Sequence, residues 1–283
     1  MYNINTRFAP SPTGLLHIGS IRIALYNYLY AKQRNGLNFL RIEDTDIKRS
    51  KQIFIIKIIR DLKWIGFYWN NNIIIQSQKL IRHIKIVNKI INTNKLYFCN
   101  INKTIIDKSK NYYNYKKFFS CYRNIKFYSN INFIIRLKNY FLKKIILNDK
   151  LIGYIAINSN QINDLILLKN NFSSTYLFSS IIDDYDINVT DVIRGFDHIT
   201  NSFKQLKIIN SLKLTQVRYI HIPLIILNNN KKISKRFNFY NISIYRNFGY
   251  LPKTICNYLV NFSQNIIIYT NNFINNILSS FFI

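Results

Sequence analysis

The order strand, Pro/Gly turn, helix, strand, helix over residues 4–67 constrains the fold more than any other feature of the chain. "INTRFAP" (residues 4–10) reads as a short buried strand. "SPTG" (11–14) is turn chemistry, with Pro12 presetting φ and Gly14 free to take a positive one. From His17 to Arg34, Ile21, Ala24, Leu25, Tyr28 and Leu29 recur at helical spacing, and Gly36 is placed as a C-cap. "NFLRIED" (38–44) reads as a second strand, and residues 50–67 as a second amphipathic helix ended near Gly66. This alternation predicts an α/β fold on a doubly wound parallel sheet.

The rhythm is lost between residue 84 and about residue 175, where "FIIRLK" and "KLIGYIAI" look like strands inside an insertion. Strand–helix order returns at "TYLFSSIIDD" and "VTDVIRG", followed by a helix at "NSFKQLKIINSL" and a strand at "RYIHIPLII". After residue 237 the pattern is helical, in "YLPKTICNYLVNF" and "NNFINNILSSFFI". The expected organisation is one sheet domain in two halves, 1–83 and 176–236, around an insertion at 84–175, with a helical module at 237–283.

Function classes narrow on charge. Forty Lys and Arg against twelve Asp and Glu leave a net charge of +28, which fits a polyanionic partner, nucleic acid or an anionic membrane surface. Codon drift towards Lys and Asn is the bland contribution, but it does not explain why so few acids remain. No apolar run reaches the roughly 18 residues that a membrane span needs, and no secretory leader is recognisable, so nucleic acid leads. Cys99, Cys121 and Cys256 are too scattered for a disulfide framework. A reducing cytoplasm is the expected setting.

"PSPTGLLHIG" (10–19) holds two of the four prolines and two of the seven glycines. A strand, a tight turn and a helix N-terminus make an anion site, because the first helical N–H groups are unpaired and the dipole favours negative charge. Gly19 permits close approach of a ligand, and His17 and Ser20 add side-chain donors. On these residues alone, an ordinary βα turn with a steric glycine remains the alternative.

The wider stretch "TRFAPSPTGLLHIGSIRIALYNYLYAK" resembles the first block of class I aminoacyl-tRNA synthetases, specifically the glutamyl-tRNA synthetases. "FLRIEDTD" is similar to their second block and "VTDVIRGFDHITNSFKQ" to their third. "KKISKR" (231–236) resembles the lysine loop that closes over ATP in this class. The blocks occur in the family's order, and the likeness continues through "GYLPKTICNYLVNF".

The resemblance implies a Rossmann-like catalytic domain, an acceptor-stem-binding insertion and a helical stem-contact module. It implies a short form without the C-terminal anticodon-binding region. It also implies a two-step reaction, in which L-glutamate attacks ATP to give glutamyl-adenylate and the acyl group then passes to the 3′ end of tRNA(Glu). ATP with its Mg²⁺ is expected, and tRNA(Gln) is a further candidate acceptor. The family's signature blocks fall on Pro10, Ser11, Pro12, Thr13, Gly14, His17, Gly19 and Ser20, and on Lys232, Ile233, Ser234, Lys235 and Arg236. His17, Lys232 and Lys235 are the expected catalytic groups; Gly19, Ser20 and Ser234 join them in binding ATP. The residues matching the family's glutamate contacts are Arg7, Ser11, Glu43, Tyr176 and Arg194. Glu43 is the only glutamate in the chain. Arginine suits a substrate with two carboxylates, being planar and permanently charged.

Departures are visible. Phe196 replaces an acid of the third block, and Leu177 follows Tyr176 where a polar residue is common. Of the family's zinc cysteines only Cys99 and Cys121 are matched, with Ile101 in a ligand position, so no zinc is expected. "NYYNYKKFFSCYRN" (111–124) alternates aromatics with cations, which suits stacking on a single-stranded tRNA end or, equally, a Tyr-rich core. Two other readings stay open: a relative that glutamylates queuosine in a tRNA anticodon, and a non-catalytic basic tRNA-binding relative. A monomer is expected.

Overall fold

The structure is a computed structural model that describes residues 3–100, 133–139, 144–225 and 240–261. The basic-aromatic run 111–124, Cys121, the 231–236 segment with Lys232, Ile233, Ser234, Lys235 and Arg236, and the helix expected at 271–283 lie outside those residues.

The opening alternation folds as a parallel ladder. Strand β1 (Asn5–Phe8) pairs in parallel with β2 (Leu37–Ile42), and β2 with the short β3 (Ile74–Ile75). Helix α1 (Ile18–Gln33) connects the first pair, and α2 (Gln52–Ile65) leads on from the second. Glycine does not cap α1. Asn35 takes the left-handed turn at φ 50°, and the Gly36 N–H closes back on the Ala31 carbonyl at 2.8 Å, so the motif places asparagine at the left-handed position. Gly36 is needed for another reason: a Cβ there would sit 2.0 Å from the Ile4 carbonyl oxygen. Gly66 does end α2 at φ 87°, whereas Gly14 is not among the residues at positive φ.

A second ladder carries β9 (Asp191–Gly195), β10 (Arg218–Ile222) and β6 (Lys144–Asp149), all parallel, with β7 (Gly153–Asn158) antiparallel at its edge. The two ladders meet along β1 and β9, where the Thr190 N–H donates to the Asn5 carbonyl at 2.9 Å. The β6–β7 hairpin comes from the segment between the two halves yet extends the central sheet. Its turn takes Leu151 and Ile152 out of the strand expected at "KLIGYIAI". Strands β4 (Leu96–Cys99), β5 (Ile134–Leu137) and β8 (Leu165–Leu168) form a separate antiparallel sheet.

Helix α3 (Leu80–Ile90) precedes that small sheet. "TYLFSSIIDD" is helical, within α4 (Tyr176–Asp186), and α5 (Ile199–Leu212) follows β9. The short α6 (Ile242–Asn247) and α7 (Pro252–Asn261) complete the described elements. Two cores result. Leu25 and Leu29 of α1 pack with Ile58 and Leu62 of α2 and Leu259 of α7; Phe178 and Ile182 of α4 pack with Ile208 of α5 and the small sheet. Burying each such side chain contributes about 1.5–3 kcal/mol. Helices therefore cover both faces, as a doubly wound sheet requires. No helix among the described residues is long and apolar enough to cross a membrane.

Candidate active site

Open α/β sheets bind ligands beyond the carboxyl ends of their strands, where strand order reverses. Here that point lies between β1 and β9, and a cleft of 460 Å³ opens there. Arg7, Pro10, Ser11, His17, Gly19 and Ser20 line it from the first block. Glu43, Tyr176 and Arg194 line it from the others. Pro12, Thr13 and Gly14 shape the turn without lining the cleft, and the 231–236 residues lie outside the described residues. Neither Phe196 nor Leu177 faces it: Phe196 is exposed, and Leu177 packs on the second core.

The wall nearest α1 is built by His17. Its backbone is extended, and its Nδ1 accepts from the Ser20 N–H at 3.3 Å, so imidazole is the N-cap of α1. An amide can only donate, so the neutral ring carries its proton on Nε2, which lies 3.0 Å from Ser20 Oγ. Gly19 makes this possible, because a Cβ there would meet the ring at 3.0 Å. No acidic residue occupies the first turn of α1, so the positive end of the helix dipole is uncompensated.

The opposite wall is ionic. Arg41, fully buried at the end of β2, donates from Nη2 to Glu43 Oε1 at 2.8 Å and from Nη1 to the Ser180 carbonyl and to Asp184 Oδ1. Arg7 Nε donates to the same Asp184 oxygen at 3.0 Å. Burial pushes the Asp184 carboxyl up, but Arg41 and Arg7 outweigh it and hold the group below the usual range. At Glu43 burial wins, and the carboxyl is raised despite Arg41. Burial, then the Glu43 charge, raises the Tyr176 phenol. A cation delivered to the cleft beside Glu43 would offset this cost.

Arg194, at the end of β9, is held from one side. Its Nη2 donates to Ser202 Oγ at 2.6 Å and to Gln205 Oε1 at 2.7 Å, and its Nε donates to His221 Nε2 at 3.3 Å. Nη1 is buried with no hydrogen-bond partner among the described residues. A buried unpaired guanidinium nitrogen costs stability unless an acceptor arrives. Gly195 keeps the adjoining wall close, because a Cβ there would fall 2.7 Å from Asp197 Oδ1. The cleft thus offers two arginines, a carboxylate, and a helix N-terminus, which together match an amino acid with a carboxylate side chain plus a phosphate.

Arg41, Asp184, His221, Ser202 and Gln205 were not singled out from the sequence. A signal existed for two. Arg41 stands two residues before Glu43, on the same side of a strand, and Asp184 stands two helical turns after Tyr176. Among the described residues no group of three His, Cys, Asp or Glu could hold a metal ion.

Known proteins with related sequences point the same way. Residues 3–277 match the family model described as tRNA synthetases class I (E and Q), catalytic domain. The chain is 41% identical over 266 residues to a glutamate–tRNA ligase 2 of Ehrlichia chaffeensis, covering 92% of this chain and 56% of that one. It is 40% identical over 260 residues to a glutamate–tRNA ligase 2 of Wolbachia sp. subsp. Brugia malayi, covering 92% and 57%. The chain therefore spans a little over half the length of these relatives. Among solved structures, a glutamate tRNA ligase from Elizabethkingia meningosepticum in complex with its amino acid superposes with a TM-score of 0.78 at 27% identity, covering 91% of this chain and 60% of that one.

Proposed function

The chain belongs to the class I tRNA synthetases for glutamate and glutamine, and from that premise we propose that it joins L-glutamate to tRNA(Glu) at the expense of ATP. The observation that carries the reading is the cleft itself. Arg7, Arg194 and Glu43 all line it, and the unpaired Arg194 Nη1 needs an acceptor. In this reading the glutamate side-chain carboxylate takes the arginines, its α-ammonium takes Glu43, and Ser11 and Tyr176 complete the pocket. The α1 N-terminus with His17, Gly19 and Ser20 receives ATP phosphate. Lys232, Ser234 and Lys235 are proposed to close over it.

Activation joins the α-carboxylate oxygen to the α-phosphorus and releases pyrophosphate; transfer moves the acyl group to the terminal ribose and releases AMP. Both steps call for positioning and charge neutralisation more than proton transfer. Mg²⁺ bound with ATP would supply neutralisation of phosphate charge, while the residues of this chain bind and orient the substrates. No zinc is included. Residues 84–175 are proposed to grip the acceptor stem, and the +28 charge supports a strong, salt-sensitive attraction to tRNA phosphates. tRNA(Gln) is proposed as a second acceptor. The proposed state is a cytoplasmic monomer.

The test is glutamate-dependent ATP–pyrophosphate exchange and charging of total tRNA with labelled glutamate, followed by mild base. A base-labile ester at the 3′ end is expected. Label that stays on an anticodon base, or no exchange with any amino acid, overturns the reading.

A further inference from the structure

The guanidinium of Arg194, in the cleft, is held by a histidine, and that histidine is itself fixed from behind. His221, on β10, is buried. Its Nδ1 lies 2.7 Å from Asp149 Oδ2, and its Nε2 lies 3.3 Å from Arg194 Nε and 2.9 Å from Ser202 Oγ. Arginine Nε carries a hydrogen and no lone pair to offer, so Nε2 must accept. The neutral ring then carries its proton on Nδ1 and donates to Asp149. Asp149 is locked in turn by the backbone N–H groups of Leu151, Ile152 and His221. Ser202 accepts from Arg194 and donates to the same imidazole nitrogen, which closes a ring of three.

We propose that His221, kept in one tautomer by Asp149, is the positioning residue of the ligand-binding arginine Arg194. It holds the guanidinium so that Nη1, and no other nitrogen, is left for the side-chain carboxylate of the amino acid. The inference rests on the glutamate reading of the cleft. Its chemical consequence is a proton switch. A protonated His221 presents an N–H to the N–H of Arg194, which turns an attraction into donor–donor and cation–cation repulsion. The charged and titratable groups around the ring are Asp149 from β6, Arg194 from β9, Asp197 just beyond β9 and Tyr219 from β10 itself. Burial, with Arg194 adding to it and Asp149 opposing it, holds the imidazole below its ordinary value. The acceptor form therefore dominates at neutral pH and is lost only in mild acid.

The experiment is the Kd of L-glutamate by titration calorimetry between pH 5.5 and 8, without ATP, because phosphate groups titrate in the same range. Glutamate keeps both carboxylates ionised throughout. Wild type should weaken only towards the acid end of this range, because burial holds the imidazole below its ordinary value. His221→Phe keeps the ring volume and removes the acceptor, so it should weaken binding about 10- to 100-fold at pH 8, the scale of one hydrogen bond to a charged group, and flatten the profile. His221→Gln restores an acceptor that does not titrate, so it should recover most of the affinity with the same flat profile. Combining His221→Phe with Arg194→Ala should cost no more than Arg194→Ala alone, since one acts through the other. A flat wild-type profile, an acid loss that persists in His221→Gln and so belongs to the raised Glu43 carboxyl, or additive losses in the double variant overturns the proposal, and His221→Gln decides even if His221→Phe does not fold. If Arg194→Ala binds glutamate as tightly as wild type, the carboxylate reading of the cleft falls first, and this inference with it.

Discussion

Arg41 Nη2 donates to Glu43 Oε1 at 2.8 Å, across two residues at the carboxyl end of β2, with both side chains buried. The only glutamate of the chain is thus aimed by a residue that takes no place in the cleft lining. Arg41 also binds Asp184, which binds Arg7, so the two cleft residues Arg7 and Glu43 are tied through one buried pair.

Replacing Arg41 should therefore damage both stability and binding. Arg41→Ala strands the buried Glu43 carboxylate and leaves Asp184 with Arg7 alone, and breaking a buried pair from one side costs about 3–5 kcal/mol. Arg41→Lys keeps the charge, but a point cation cannot fork to Glu43 and Asp184 together. It should unfold only slightly earlier in urea while raising the KM for glutamate. Glu43→Gln leaves the Arg41–Asp184 pair in place, so it should raise that KM with little change in urea midpoint. If Arg41→Lys has wild-type KM, the tie between the pair and the site is wrong.

Asp61 predicts a pH effect of opposite sign to the usual carboxylate. It is buried on α2, its Oδ2 has no hydrogen-bond partner among the described residues, and burial pushes its pKa up to about 6 against the partial relief of Arg246. A carboxyl raised in the folded state favours folding below its ordinary value of 3.8, and that contribution is lost as pH rises through about 6. Asp61→Asn should therefore stabilise the protein at pH 8 by on the order of 1 kcal/mol, allowing for screening, and do nothing at pH 4. Urea midpoints at the two pH values decide it; equal shifts at both would show that packing, not charge, is responsible.

How much of this was legible depended on distance along the chain. The β1–α1–β2–α2 run announces itself because periodicity, turn residues and caps are local. So do Arg7, Glu43 and Arg194, which sit inside recognisable blocks. The pairing of β6 with β10 does not, because it joins segments 70 residues apart through one registered pair, Asp149 with Tyr219. His221 is hidden for the same reason, and so is the tie of Arg41 to Asp184, although the place of Arg41 two residues before Glu43 is a local signal. A charged residue in a strand reads as solvated until the fold brings up Asp184 or Asp149. Gly36 shows the limit from the other side: its spacing matched a cap, but the reason for glycine was a backbone 32 residues away.

Ser174, His83 and Asp183 stand in hydrogen-bonded order, Ser174 Oγ to His83 Nδ1 at 2.9 Å and His83 Nε2 to Asp183 Oδ1 at 2.8 Å, with Gln76 donating to the other Asp183 oxygen at 2.8 Å. The order is that of a nucleophilic triad, but all three side chains are buried. The arrangement instead fastens α3 to α4 through satisfied polar groups. His83→Ala should destabilise the protein by about 2–4 kcal/mol by orphaning Ser174 and Asp183, while a serine-directed fluorophosphonate should leave the wild type unlabelled. Labelling at Ser174 would show that the cluster opens to solvent.

His17 allows its two duties to be separated. As N-cap of α1 it satisfies the Ser20 N–H; as a cleft residue it faces the proposed phosphate site. Asparagine is among the best N-caps, so His17→Asn can supply the capping oxygen to the same amide. It removes the imidazole, and with it the Nε2 proton now turned to Ser20 Oγ. Alanine removes both. If capping were the whole role, His17→Ala should lose about 1 kcal/mol and His17→Asn almost nothing, with exchange rates following stability. If the imidazole neutralises phosphate charge during activation, the two variants should differ in stability yet share a fall in the exchange rate of about 10²- to 10³-fold, the scale of losing one preorganised donor. The second outcome is expected, because a ligand phosphate at the α1 N-terminus would draw the Nε2 proton away from a hydroxyl that water can satisfy. The measurement pairs urea midpoints with glutamate-dependent exchange for both variants. Normal exchange by His17→Asn would confine His17 to holding the helix.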